Sequence, residues 1–216
     1  MTCKRRNMKA EKIKISILWI LIAAAFLLLY SEAAIAKSPE LSPIFIYDED
    51  DLLELTIDDV GKYHGDICPC VVVTFRAVKL AISELWENEI PRRNDFKIIS
   101  SLPTDGSEDA FEFITRVKRR KDFSYDLPEG TSKLRTSVQN YSFVIIRKSN
   151  GKRIKVRVKE EIFQKINDNF FELRKKIKLG EATAEEEREF YLEKQKLKEI
   201  FIKLPLNELF YIYKGD

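Results

Sequence analysis

The sequence predicts an α+β fold that closes on a C-terminal helical hairpin, and three patterns predict it. Residues 141–158 alternate apolar and other residues on either side of Ser149-Asn-Gly-Lys152, the signature of two strands joined by an Asn-Gly turn. Pro69 is followed by Val71, Phe75, Val78, Ile82 and Leu85, which fall on one helical face behind a proline suited to a first helical position. Two further apolar stripes flank Gly180 and Thr183-Ala-Glu-Glu186, a helix stop and a capping box.

The chain of 216 residues begins differently from the rest. Lys4, Arg5, Arg6, Lys9, Lys12 and Lys14 precede an uncharged apolar run from Ile15 to Tyr30, and Ala34-Ile-Ala36 ends the segment. This layout predicts an export signal over residues 1–36, cleaved after Ala36 or kept as an N-terminal anchor, with the remainder carried across the cytoplasmic membrane. Residues 1–36 hold six Lys/Arg against two Glu, so the +3 of the whole chain leaves about −1 for the rest. The basic balance therefore belongs to the leader and predicts no nucleic-acid partner.

The remaining elements follow in order. Residues 37–49, with Pro39 and Pro43, read as a linker, and a domain is expected over 50–216. Leu52, Leu53, Leu55 and Val60 among acids predict a short amphipathic helix from Asp50 to Gly61, or on to His64 with its stop at Gly65. The Pro69 helix is expected to end by Pro91, with Arg76 and Lys79 in solvent. Asp95–Leu102 reads as a strand, and Thr104-Asp-Gly-Ser107 as the turn into a helix carrying Ala110, Phe111, Ile114 and Val117. Residues 118–137 read as a loop. After the hairpin, Ile162, Phe163, Ile166, Phe170, Leu173 and Ile177 form one helical stripe, and Phe190, Leu197, Ile200, Phe201 and Leu204 form the next. Leu209–Tyr213 is a last strand or a packed tail. Charge is uneven: residues 116–160 hold 14 Lys/Arg against 4 acids, while residues 37–60 are strongly acidic. An acidic end balanced by a basic face explains this; a surface for anionic ligands or lipid headgroups is the sharper alternative.

Chemistry concentrates in Tyr63-His-Gly-Asp-Ile-Cys-Pro-Cys70. His64 is the sole histidine, and His64, Asp66, Cys68 and Cys70 are all metal-ligand types within seven positions. Pro69 places Cys68 at the helix N-cap, where free amides and the dipole favour a thiolate. Cys68 is thus both a candidate ligand and a candidate nucleophile. A divalent metal, zinc above all, is the expected cofactor, and Asp105 and Asp109 would add ligands if their helix start faced the same cavity.

These residues resemble a known family. The His64–Cys70 segment followed by an Arg-bearing apolar helix is similar to the His-Gly-His-x-Cys-Pro-Gly segment of the formylmethanofuran dehydrogenase FmdE family. Asp109-Ala110 is similar to its Cys-x-x-Asp-Ala segment. Leu173-Arg-Lys-Lys, Gly180–Glu186 and Leu206-Asn-Glu-Leu-Phe210 look like its C-terminal helices. The resemblance implies a mostly antiparallel sheet flanked by helices, with a metal-associated cleft lined by His64 and Cys68. The family's second His is Asp66 here, its Gly after Cys-Pro is Cys70, and its middle Cys falls at Gly106.

The sequence thus predicts an exported, periplasmic or membrane-anchored FmdE-like protein that binds a divalent metal through His64, Asp66, Cys68 and Cys70. A non-catalytic interaction or assembly module and a thiol-dependent enzyme using Cys68 are the alternatives. A protein partner or a second copy is expected, with the N-terminal segment engaging the membrane.

Overall fold

The computed structural model describes residues 41–215. The expected export signal, residues 1–36, lies outside these residues. Among the described residues no helix is long and apolar enough to cross a membrane.

The domain begins earlier than the sequence suggests. Ile44–Asp48 (β1) and Asp51–Leu55 (β2) pair antiparallel, Ile44 against Leu55 and Asp48 against Asp51. Residues 44–48 are therefore part of the fold and not a linker. Ile44 and Ile46 are buried at alternate positions, as a strand with one covered face requires. The expected helix at Asp50 starts instead at Ile57 and runs to His64 (α1). Thr56 decides its start: the hydroxyl accepts from the Asp59 amide and the Asp59 carboxylate accepts from the Thr56 amide, a capping box the acidic surroundings conceal.

Pro69–Leu85 (α2) is the central helix, and it ends at Trp86, before Pro91. Its predicted face is core, but so are Val72, Val73, Thr74 and Ala77. Residues 71–78 are buried without a break, as in a helix that lies inside, and α2 packs against Asp105–Thr115 (α3), Ser142–Arg147 (β5), Arg153–Val158 (β6) and Ala184–Lys203 (α5). Arg76 is accordingly fully buried, contrary to the solvated role expected, and its guanidinium donates to the Phe201 carbonyl.

The sheet runs β4-β3-β5-β6-β7, with β3 at Phe96–Ser100, β4 at Phe123–Tyr125 and β7 at Phe210–Gly215. Three of its pairings, β3–β5, β5–β6 and β6–β7, are antiparallel. The short β4 lies parallel to β3, so part of the expected 118–137 loop is an edge strand and the sheet is mixed. The 141–158 hairpin forms as predicted, and the C-terminal tail is a strand.

The C-terminal helices also form, with one change. Residues 160–165 are a 3-10 turn, and a separate helix covers Phe170–Leu179 (α4), so the single predicted stripe is two pieces. Gly180 ends α4, and the Thr183–Glu186 capping box opens α5. A last turn, Leu206–Leu209 (α6), leads into β7. The acidic start and the basic stretch meet in part: Asp48 accepts from Arg93 and Arg116 at 2.8 and 2.9 Å.

Candidate functional site

The chemistry-bearing segment is the connection between α1 and α2. Gly65 ends α1 with φ of +97°, a left-handed conformation that glycine adopts at little cost. The chain then turns through Asp66 and Ile67, and Cys68 becomes the N-cap of α2 with Pro69 in its first turn. Both helices pack on α3, which brings Asp109 and Gly106 to the same place.

Asp109 Oδ2 lies 2.8 Å from His64 Nδ1, and the ring is largely covered. The carboxylate fixes Nδ1 as the protonated nitrogen and turns Nε2 toward Cys68. The space they share is marked by Gly106: a Cβ there would stand 2.8 Å from Cys68 Sγ and 3.2 Å from His64 Nε2. Glycine at 106 is what lets the two donors close over the α3 backbone. Burial works against charge on the ring, but the Asp109 hydrogen bond and the neighbouring Cys68 outweigh it, so the His64 pKa is raised.

The two thiols divide differently from the sequence expectation. Cys68 does sit at the helix end, yet its hydrogen bond to Cys70 and its burial push its pKa up, and the Val71 amide and His64 do not compensate. Cys70 is the better thiolate. The Cys68 hydrogen bond, opposed by burial and helped by Thr104, Arg174 and Tyr141, brings it down to about 6. The two sulfurs titrate as a pair, Cys68 raised and Cys70 lowered by their mutual contact.

Asp66 lines the same cleft and pairs with Lys194 at 3.2 Å. Asp105 faces Lys133 at 3.1 Å. Among the described residues no three His, Cys, Asp or Glu side chains are gathered as a set to hold a metal ion. His64 and Cys68 approach each other, Cys70 reaches Cys68, and the expected fourth member stands apart.

Thr104, Tyr141 and Arg174 escaped the sequence reading. All three line a cleft of about 350 Å³ together with His64, Cys68 and Cys70. Tyr141 precedes a strand and Arg174 sits in a charged helix, and neither position carries a local signal. Asp109 was legible only as a ligand alternative; its position beside His64 makes it the ring's orienter.

The family model described as FmdE, molybdenum formylmethanofuran dehydrogenase operon, matches residues 63–211, more than half of the chain. No curated protein matches. Among solved structures the chain is similar to a tungsten formylmethanofuran dehydrogenase FmdE-like protein from Syntrophus aciditrophicus, at 17% identity over 74% of this chain and 69% of that one, with a TM-score of 0.42.

Proposed function

This chain belongs to the FmdE family, and we propose that it binds one divalent cation, zinc foremost, outside the cytoplasmic membrane, through His64 Nε2 and the sulfurs of Cys68 and Cys70. The observation that carries this reading is the 2.8 Å contact between Asp109 and His64. A carboxylate on the far ring nitrogen is the usual outer partner of a metal-binding histidine, because it sets the tautomer and raises the basicity of Nε2. Imidazole and thiolate are donor types that suit zinc, and Cys70 offers a thiolate near neutral pH; the three side chains are not gathered as a ligand set in this structure and would have to close on the cation as it binds. Fewer than four protein donors suits an open site better than a structural one.

When bound, such a cation supplies Lewis acidity to a small ligand. The chain's own residues do the rest. Asp109 holds His64 in register, and Thr104 and Tyr141 favour charge on the Cys70 sulfur. Asp66 is left out of the donor set, since Lys194 engages its carboxylate. A Cys68 nucleophile is the weaker reading, because Cys70 and burial keep its thiol protonated. The basic, apolar and Ala-x-Ala pattern of residues 1–36 supports the extracytoplasmic location.

Metal analysis after zinc loading under reducing conditions tests the proposal. About one equivalent is expected in the protein, and its loss in both His64→Ala and Cys68→Ala. Equal zinc content in the protein and in His64→Ala would sink it.

A further inference from the structure

The cleft has two unlike walls. One carries His64, Cys68 and Cys70; the other comes from the C-terminal hairpin and is cationic. Arg174 and Lys178 lie four residues apart on α4, hence on one face, and Lys194 joins them from α5. Between them is an apolar surface in which Phe170 and Phe190 stack with ring centroids 5.0 Å apart.

The charges cancel only in part. Asp66 pairs with Lys194 at 3.2 Å and neutralises that lysine, and Asp105 is engaged by Lys133 at 3.1 Å, which leaves Arg174 and Lys178. Arg174 donates to the Thr136 hydroxyl at 3.1 Å and the Lys133 carbonyl at 3.3 Å, and its charge also favours the Cys70 thiolate. Lys178 has no carboxylate within ion-pair distance among the described residues. A guanidinium without a carboxylate, beside a second cation and facing a cleft of about 350 Å³, is suited to an oxyanion. The cleft's size and aromatic surface are those of a small-molecule site.

We infer that this cleft takes a small organic anion. Its carboxylate or phosphate group meets Arg174 and Lys178, and its apolar body lies along Phe170 and Phe190. Its other end points to His64 and Cys68; this orientation, but not the anion site, rests on the proposed cation there.

Calorimetric titration of the full chain tests the inference, with benzoate, glutarate and inorganic phosphate as anions and benzamide as the neutral match to benzoate. Each is titrated into protein stripped with phenanthroline, a neutral chelator, and into zinc-loaded protein. At least one organic anion is expected to saturate, with benzamide at least ~10-fold weaker than benzoate. Arg174→Met should weaken anion binding at least ~10-fold, the scale of a lost charge-assisted hydrogen bond, and Arg174→Lys less. Lys178→Met, at an exposed position where folding is not in question, should weaken it about 3-fold.

Equal binding of benzoate and benzamide would overturn the inference. So would saturation by phosphate alone, by no organic anion, or unchanged binding in both Met variants. The two proposals separate cleanly. Anion binding to stripped protein without zinc uptake sinks only the cation, and zinc uptake without anion discrimination sinks only the anion site.

Discussion

The two walls of the cleft are held in place by different physics. The donor wall is anchored to the most buried parts of the molecule. Cys68 caps α2, whose Phe75, Val78 and Ala81 are fully buried, and Asp109 stands on α3 beside buried Ala110 and Phe111. The cationic wall is a hairpin whose 20-residue helix α5 buries only Leu197 and Phe201. Packing on the first side fixes distances between His64, Asp109 and Cys68 to within a hydrogen bond. On the second side long cationic side chains stand on a thin apolar seam and can adjust to what enters. The asymmetry suits the two proposals, a cation held on one wall and varied anions admitted along the other.

The largest expected effect tests the asymmetry directly. Phe75→Ala empties a core position of α2 and should cost about 3–5 kcal/mol, seen as a lower denaturant midpoint. Phe190→Ala on α5 removes a half-buried ring stacked on Phe170 and should cost about 1 kcal/mol. Equal losses would mean that the hairpin is as much core as α2.

The next effect concerns the site itself. Asp109→Ala should weaken zinc binding about 10–100-fold, the usual consequence of losing the carboxylate behind a metal-binding histidine. Asp105→Ala, whose partner is Lys133, should leave zinc affinity within about twofold. A competitive zinc titration reads both, and equal effects would demote the Asp109–His64 contact to packing.

Acid should reach the donor wall through Glu108, on α3 one residue from Asp109. Burial pushes the Glu108 carboxyl up, but Lys118, Tyr125 and Lys133 outweigh it and hold its pKa down to about 2. The folded state thus favours the charged form. The stabilisation is complete above the ordinary carboxyl value near 4.5 and drains as pH falls from there toward 2. It should amount to about 2 kcal/mol, less than the full linkage value, because Lys133 is 57% exposed and solvent screens it. Denaturation midpoints of the protein and of Glu108→Gln should therefore converge in that window, and parallel curves would exclude Glu108 as the cause.

Much of this was legible in the sequence where one local rule governs. Asn150-Gly151 announced the β5–β6 hairpin, and Pro69 announced α2 and set Cys68 at its cap. The reading failed where partners far along the chain decide. Residues 44–48 look like a linker until β2 pairs with them, and Arg76 looks solvated until Phe201 arrives from α5. The site shows the same limit. His64 and Cys68 could be named from their spacing, but the choice of Cys70 over Cys68 as thiolate rests first on the contact between the two sulfurs, with Thr104, Arg174 and Tyr141 helping. Asp66 was named for its neighbours in sequence, while its partner in the fold is Lys194, 128 residues away.

The smallest effect is the most discriminating. Thr183 caps α5, accepting from the Glu186 amide at 3.2 Å while Glu186 accepts from the Thr183 amide at 2.9 Å. Thr183→Ala should cost about 1 kcal/mol, roughly a fivefold change in an opening equilibrium. If the cationic wall opens separately from the core, that fivefold appears as faster amide exchange in α4 and α5, while the amides of α2 keep their protection. An anion bound at Arg174 should then slow exchange in the hairpin first. Uniform acceleration through α2 and α5 would show one cooperative unit instead, and the two walls would differ in composition but not in mobility.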